Sequence, residues 1–282
     1  MTVRRTLQPS RQLALFAGLV LSLGTVTSLA GLDRAVTPFV LVLVPAAAAI
    51  GVSAVDGGHT AVGRLTGRVA RVRVGVRWYV AALGIPVADK LLVDVAGIVL
   101  GMTTPGRLLH ALTASAVVVA LVVLMPGLLE ELGWRGFGVQ TAVEQGHSPA
   151  WAVAVIGPLF IALHVPLYLP GQLYSGFALW PLPINLLAVS VLLTWVYLRT
   201  RSVLVTGLMH AGFNATVPLT WGLDTEWVWS TRAIVLPLIA VLVVGRVGLS
   251  WWRTPLSSPA PPIARSSTDP AAESPADRRR RS

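Results

Sequence analysis

ALTASAVVVALVVLMPGLLEELGWRGF, residues 111–137, runs without a charge from Ala111 to Leu129, then sets Glu130, Glu131 and Arg135 at its end. A charged side chain at bilayer depth costs about 2.5–3.5 kcal/mol on insertion scales, and charges kept there mark function. Two later apolar runs hold polar points of their own. His164 lies in IGPLFIALHVPLYL, residues 156–169, and His210 with Asn214 in VLVTGLMHAGFNATV, residues 203–217. Chemistry inside a membrane is the reading these residues raise.

The composition sets the class. Of 282 residues, 54% are hydrophobic and 12% charged, and the mean hydropathy is +0.72. A soluble domain needs more charge, so the chain reads as a polytopic membrane protein. The absence of cysteine excludes disulfides, thiolate metal sites and a cysteine nucleophile. The net charge of +10 is almost all arginine. It points to cytoplasmic loops and anionic headgroups, and no nucleic-acid partner is expected.

Apolar stretches long enough to span as helices fall at about 12–31, 36–55, 78–100, 110–132, 150–169, 183–199, 203–220 and 231–250. The expected fold is therefore an all-α transmembrane bundle of about eight spans, occupying residues 1–253. Asp89, Lys90 and Asp94 interrupt the third stretch, at spacings that allow ion pairing along one face; a kink or a cavity-facing position is the alternative. Arginines crowd alternate connections: Arg4, Arg5 and Arg11; Arg64, Arg68, Arg71, Arg73 and Arg77; Arg199 and Arg201; Arg278 to Arg281. The connections between these hold Asp33 with Arg34, then Arg107, then the uncharged 169–182, then Asp224, Glu226 and Arg232. The positive-inside rule then puts both termini in the cytoplasm, as an even number of spans requires. The first stretch is too long and uninterrupted for a cleaved signal peptide and reads as a retained span. Residues 57–77 read as a basic amphipathic segment on the inner surface or as a solvated loop. Residues 254–282, rich in Pro, Ser, Ala and Arg, read as a disordered cytoplasmic tail.

Positions four apart share a helical face. Glu131 and Arg135 can therefore pair within one helix, while Glu130, rotated by about 100°, meets a different partner. One glutamate can be structural and the other chemical; a helix-end salt bridge at the inner interface is the plainer alternative. Phe160 and His164 share a face, as do His210 and Asn214. Each pair alone could be packing or interhelical glue. Together they supply a carboxylate, two imidazoles and an amide from three helices. Burial raises a carboxylate's pKa and a nearby cation lowers it, a balance that suits a general base toward water. Imidazole and amide groups can stabilise an oxyanion or bind a metal. The inventory fits amide hydrolysis by activated water, and neither GxSxG nor HExxH is present.

At these residues the chain resembles the CAAX-prenyl-protease and bacteriocin-processing family, CPBP, also called Abi. The family's signature is EExxxR, then FxxxH, then HxxxN or HxxxD, on separate membrane helices. Here the motifs read Glu130-Glu131-Leu-Gly-Trp-Arg135, Phe160-Ile-Ala-Leu-His164 and His210-Ala-Gly-Phe-Asn214, with Trp134 and Phe137 suiting the first. The likeness covers about residues 110–220. It implies that Glu130, helped by His164, would activate water. Glu131 and Arg135 would orient the first motif, and His210 with Asn214 would stabilise the oxyanion. The family has been described both as metal-independent glutamate proteases and as metalloproteases. Glu130, His164 and His210 would be the ligands if a divalent metal such as zinc were used, and both mechanisms stand.

The expected function is an intramembrane endopeptidase acting on a membrane-associated protein or peptide. The composition looks prokaryotic, which suits a plasma-membrane location and disfavours a prenylated substrate. A non-catalytic immunity or scaffold protein could use the same polar cavity. A proton-linked transporter is the third class, weakened by the lack of an evident internal repeat. Substrate and oligomeric state are open at this level. The glutamate, imidazole and amide groups should converge on one water-accessible cavity opening toward the cytoplasmic side.

Overall fold

A computed structural model describes residues 7–106, 126–216 and 223–256. The first part of the fourth predicted span, the end of the seventh and the tail from 257 onward lie outside the described residues. Every described element is helical: α1 (Pro9–Leu29), α2 (Thr37–Thr66), α3 (Val76–Val99), α4 (126–144), α5 (Pro149–His164), α6 (Pro181–Thr200), α7 (Val203–Thr216), α8 (Thr225–Val247) and the short α9 (Leu249–Arg253). Where they are described, the predicted stretches fall on α1 to α8, the fourth only over 126–132 and the seventh only over 203–216. By length and composition α1, α2, α5 with its 3-10 extension Val165–Tyr168, α6 and α8 could cross a membrane. α3 has the length but carries the three charges, and α7 is a shorter apolar helix.

The helix ends follow from local chemistry. Pro9, Pro38, Pro149 and Pro181 sit in first turns, where the missing N–H is not needed. Ser148 accepts a hydrogen bond from the Trp151 amide at 3.2 Å, and Asp224 one from Trp227 at 2.8 Å, capping α5 and α8. α2 runs eleven residues past its predicted end at 55, to Thr66, and bends at Gly57–Gly58, where Gly58 takes φ +57°. The segment 57–77 is thus helical in its first half and irregular from 67 to 75.

α4 holds the largest departure from expectation. Its helix does not end at 132. Residues Leu132–Val139 form a π-helical turn and the chain continues as α-helix to Glu144. π turns are rare and gather at functional sites. The glutamates therefore lie within a helix in the protein interior, not at an interfacial helix end. α4 also approaches its neighbours closely. A Cβ on Gly133 would overlap the Pro45 backbone of α2, and one on Gly127 would meet the Gly207 carbonyl of α7 at 2.7 Å. The Gly127–Gly207 contact sits one turn from Glu131 and His210, which sets those side chains within reach of each other.

The helices alternate in direction. α6 is the central one: 72% of its apolar stretch is buried, against 28% for α1 and for α8. It packs on α5, α7 and α8, while α3 packs on α7 and α8 and α2 lies against α1 and α4. The charges of α3 are paired in the interior. Lys90 bonds Asp94 one turn on, and Asp89 accepts from Arg232 Nε of α8 at 2.9 Å. The pairing along α3 matches one of the sequence expectations. Arg232 belongs to the second turn of α8, not to a loop.

Gly133→Ala is expected to lower stability by about 1–3 kcal/mol through overpacking. Gly63→Ala, whose Cβ would meet nothing within 4 Å, should leave it unchanged or raise it by up to about 1 kcal/mol through helix propensity. Thermal melting of the detergent-solubilised variants separates the two, and equal melting temperatures would remove the close approach of α4 to α2.

Candidate active site

Glu130 and Glu131 diverge from adjacent positions, as a helix requires. Glu131 is fully buried, and its Oε1 accepts from Arg135 Nη1 at 2.9 Å and from His210 Nδ1 at 2.8 Å. Arg135, also fully buried, donates from Nη2 to Ser190 Oγ at 3.1 Å, at the midpoint of α6. One carboxylate thus ties α4, α6 and α7 together. Glu130 is only 3% exposed and takes the Trp134 indole N–H on Oε2 at 3.3 Å. Its carboxylate borders a cavity of about 340 Å³.

Phe160 orders the rings around that cavity. It meets Trp134, His164 and His210 edge-to-face with centroids 5.6, 4.8 and 5.8 Å away, and the Arg135 guanidinium lies 5.3 Å from its centroid. Such contacts fix ring orientation as well as burying area. His164 Nδ1 lies 2.8 Å from the Phe160 carbonyl. A carbonyl only accepts, so Nδ1 carries the proton and, in the neutral ring, Nε2 carries the lone pair. His210 Nδ1 likewise donates to Glu131, which leaves its Nε2 for other work.

The sequence-predicted residues divide in two. Glu130, Phe160, His164, His210 and Asn214 all line the one cavity, whereas Glu131 and Arg135 stand behind its wall. Asn214, at the last turn of α7, is exposed. Several polar residues join the cavity that the sequence reading passed over. Asn185 of α6 donates to the Trp229 carbonyl at 2.9 Å, and Arg232 and Tyr174 complete that wall. Burial raises the Tyr174 phenol above its ordinary pKa against the opposing pull of Arg232, so it faces the cavity as a neutral hydroxyl. A lone Asn and a lone Ser within the apolar run of α6 were the available signals for Asn185 and Ser190. An unpaired Asp89 was the signal for a buried arginine partner.

Among the described residues no three His, Asp or Glu side chains are grouped to hold a metal ion. Glu130, His164 and His210 border the same space without forming such a set, so the chemistry below is derived from the side chains themselves.

The cavity lies toward one end of the bundle. Its lining comes from the first two or three turns of α2, α6 and α8, the last turns of α5 and α7, Pro126 and Glu130 of α4, and the 169–180 connection. That end of the bundle is opposite the arginine-rich connections.

A helical membrane protein with a largely apolar chamber among its helices, its polar groups concentrated at the motif residues, is the class this fold and site define. Residues 112–216 match the family model described as type II CAAX prenyl endopeptidase Rce1-like, a stretch that contains all seven motif residues. The match is consistent with a CPBP-family intramembrane protease. No curated protein matches the chain.

The two glutamates should respond differently to substitution. Glu131→Ala strands buried Arg135 and is expected to cost about 3–5 kcal/mol. Glu130→Gln keeps an acceptor for Trp134 and should leave thermal stability in detergent unchanged or slightly raised. A comparable loss in both variants would overturn the division of roles.

Proposed function

We propose that the protein is an intramembrane endopeptidase in which Glu130 activates the attacking water. The observation that carries this reading is that Glu131 is consumed by Arg135 and His210, while Glu130 borders the cavity beside His164, His210 and Asn214.

Glu130 takes a proton from a water held between its carboxylate and His164 Nε2, and the hydroxide attacks the scissile carbonyl carbon. Charge moves to the carbonyl oxygen, where His210 Nε2–H and the Asn214 amide donate. Glu131 supports the cationic form of His210 from the far side of the ring, as a buried carboxylate does for a catalytic imidazole. Collapse of the tetrahedral intermediate breaks the C–N bond. The proton carried by Glu130 passes to the departing amine, giving one carboxylate and one amine product. Arg135 holds Glu131 ionised and aimed, and Phe160 holds both imidazoles at their angles. The apolar surroundings strengthen each of these interactions relative to water.

The substrate in this reading is a membrane-associated protein or peptide of a prokaryotic plasma membrane, and not a prenylated one. The lining supports a membrane-associated substrate: most of it is aliphatic or aromatic, including Phe39, Leu173, Tyr174 and Trp229. Polar groups are few and concentrated at the motif residues, as in a site that binds apolar side chains and reacts at one bond.

Glu130→Gln is expected to lower kcat by about 10²–10⁴-fold, and His210→Ala by about 10²–10³-fold, with the protein still folded and inserted. A substrate that accumulates uncut in membranes carrying Glu130→Gln identifies the target. Retention of full turnover by Glu130→Gln would remove the general base and the proposal with it. Turnover of a cleaved peptide in the presence of a strong chelator should be unchanged; its loss, restored by zinc, would replace the glutamate mechanism with a metal-dependent one.

A further inference from the structure

The ends of the bundle differ sharply in charge. At one end the N-terminal segment, the α2–α3 connection, the α4–α5 corner, the α6–α7 connection and α9 come together. Leu7 N–H donates to Asp56, and Val203 N–H and Ser202 Oγ donate to the carbonyls of Arg68 and Arg71. Arg68 bonds the Gly136 carbonyl and pairs with Glu144. Arg201 bonds Gln140, and Arg199 lies over Trp251. Arg64, Arg73, Arg77, Arg246 and Arg253 belong to the same end by position.

The opposite end carries the α1–α2 connection, the 169–180 connection and the start of α8. These are stapled to one another: Gln172 Nε2 donates to the Leu32 carbonyl at 3.2 Å, and Ala178 N–H to Glu226 Oε1 at 3.0 Å. Leu223 lies against α3 at Gly97. Among the described residues the exposed cation at this end is Arg34, next to Asp33, and Asp224 and Glu226 add negative charge. An arginine asymmetry of this size orients a helical membrane protein with the arginine-rich end in the cytoplasm.

The catalytic cavity belongs to the arginine-poor end. Phe39 lies in the first turn of α2, His164 at the last residue of α5, Asn185 in the first turns of α6, Asn214 in the last turn of α7 and Trp229 in the first turns of α8. Arg135, at the level of mid-α6, closes it from below through Ser190. We infer that the site is reached from the non-cytoplasmic side of the membrane, so that its substrate is a translocated, membrane-anchored polypeptide segment rather than a cytoplasmic chain end. This rests on the proteolytic reading above for the word substrate, and on helix direction and charge alone for the side.

The apolar rim agrees with an approach along the outer leaflet. Phe39 and Leu173 line the cavity and are 57% and 47% exposed, and Trp180, at the end of the 169–180 connection, is 53% exposed. An aromatic collar at a membrane–water boundary is where such side chains settle. It would meet a hydrophobic anchor and leave the hydrolysed bond within reach of Glu130.

The absence of cysteine makes the side directly measurable. Single variants Leu173→Cys at the cavity rim, Val36→Cys on the same end and Val72→Cys in the α2–α3 connection each offer one thiol. They would be probed with a membrane-impermeant maleimide in right-side-out spheroplasts of a bacterial host and in inverted vesicles. The expected result is labelling of Leu173→Cys and Val36→Cys in spheroplasts and of Val72→Cys in inverted vesicles. The reverse pattern overturns the inference, and Val36→Cys carries the test if Leu173→Cys fails to fold. Comparing membrane proteomes from cells with the native protein and with Glu130→Gln gives the second arm. Cleavage sites in translocated segments support the inference, and sites in cytoplasmic segments overturn it. The expected labelling with no fragment difference would remove the protease reading and the substrate claim together, leaving only the topology.

Discussion

A single carboxylate oxygen, Glu131 Oε1, receives both an arginine and a histidine in a region closed to water. That junction decides most of what surrounds it. An ionised carboxylate cannot remain buried without partners, and a buried arginine cannot either. Glu131 and Arg135 therefore hold each other, and the second contact of each, to His210 and to Ser190, fastens α4 to α7 and to α6. Phe160 sits among these charges and passes their geometry to His164 through its edge-to-face contact. Because Glu131 is turned away toward Arg135 and His210, its neighbour Glu130 is the carboxylate left for the cavity.

The same constraint recurs on α3. Asp89 reaches Arg232 on α8, and Lys90 bonds Asp94, so each charge in the buried part of that helix has a partner. Arg232 also borders the cavity, which links the ion pair to its wall. Close helix approach makes both networks geometrically possible. Glycines at 127 and 207 let α4 and α7 touch near the carboxylate, and Gly133 lets α4 settle against Pro45.

Much of the site was legible in the sequence. The Glu131–Arg135 pairing follows from a four-residue spacing, and so does the shared face of Phe160 and His164. Helical periodicity is a local property, and these are local contacts. The division of labour between the two glutamates was legible as a possibility, since adjacent helical positions must point apart. Which of them faced the cavity was not, because the partners that decide it, His210 and Ser190, lie 79 and 55 residues away from Glu131 and Arg135. The end of the bundle at which the cavity lies was not legible, for one identifiable reason. An apolar run ending at 132 puts Glu130 near the inner surface, whereas a π turn carries α4 on to 144 and leaves Glu130 deeper, toward the other end.

Hydropathy, arginine placement and motif spacing are written residue by residue, so the chain alone determined a helical membrane bundle, its charge asymmetry and its three motifs. Convergence of those motifs on one chamber, the Asp89–Arg232 pair and the end at which the chamber lies depend on how distant helices pack and on where each one stops. Those properties arise from contacts between helices rather than within them, and only the tertiary structure decided them.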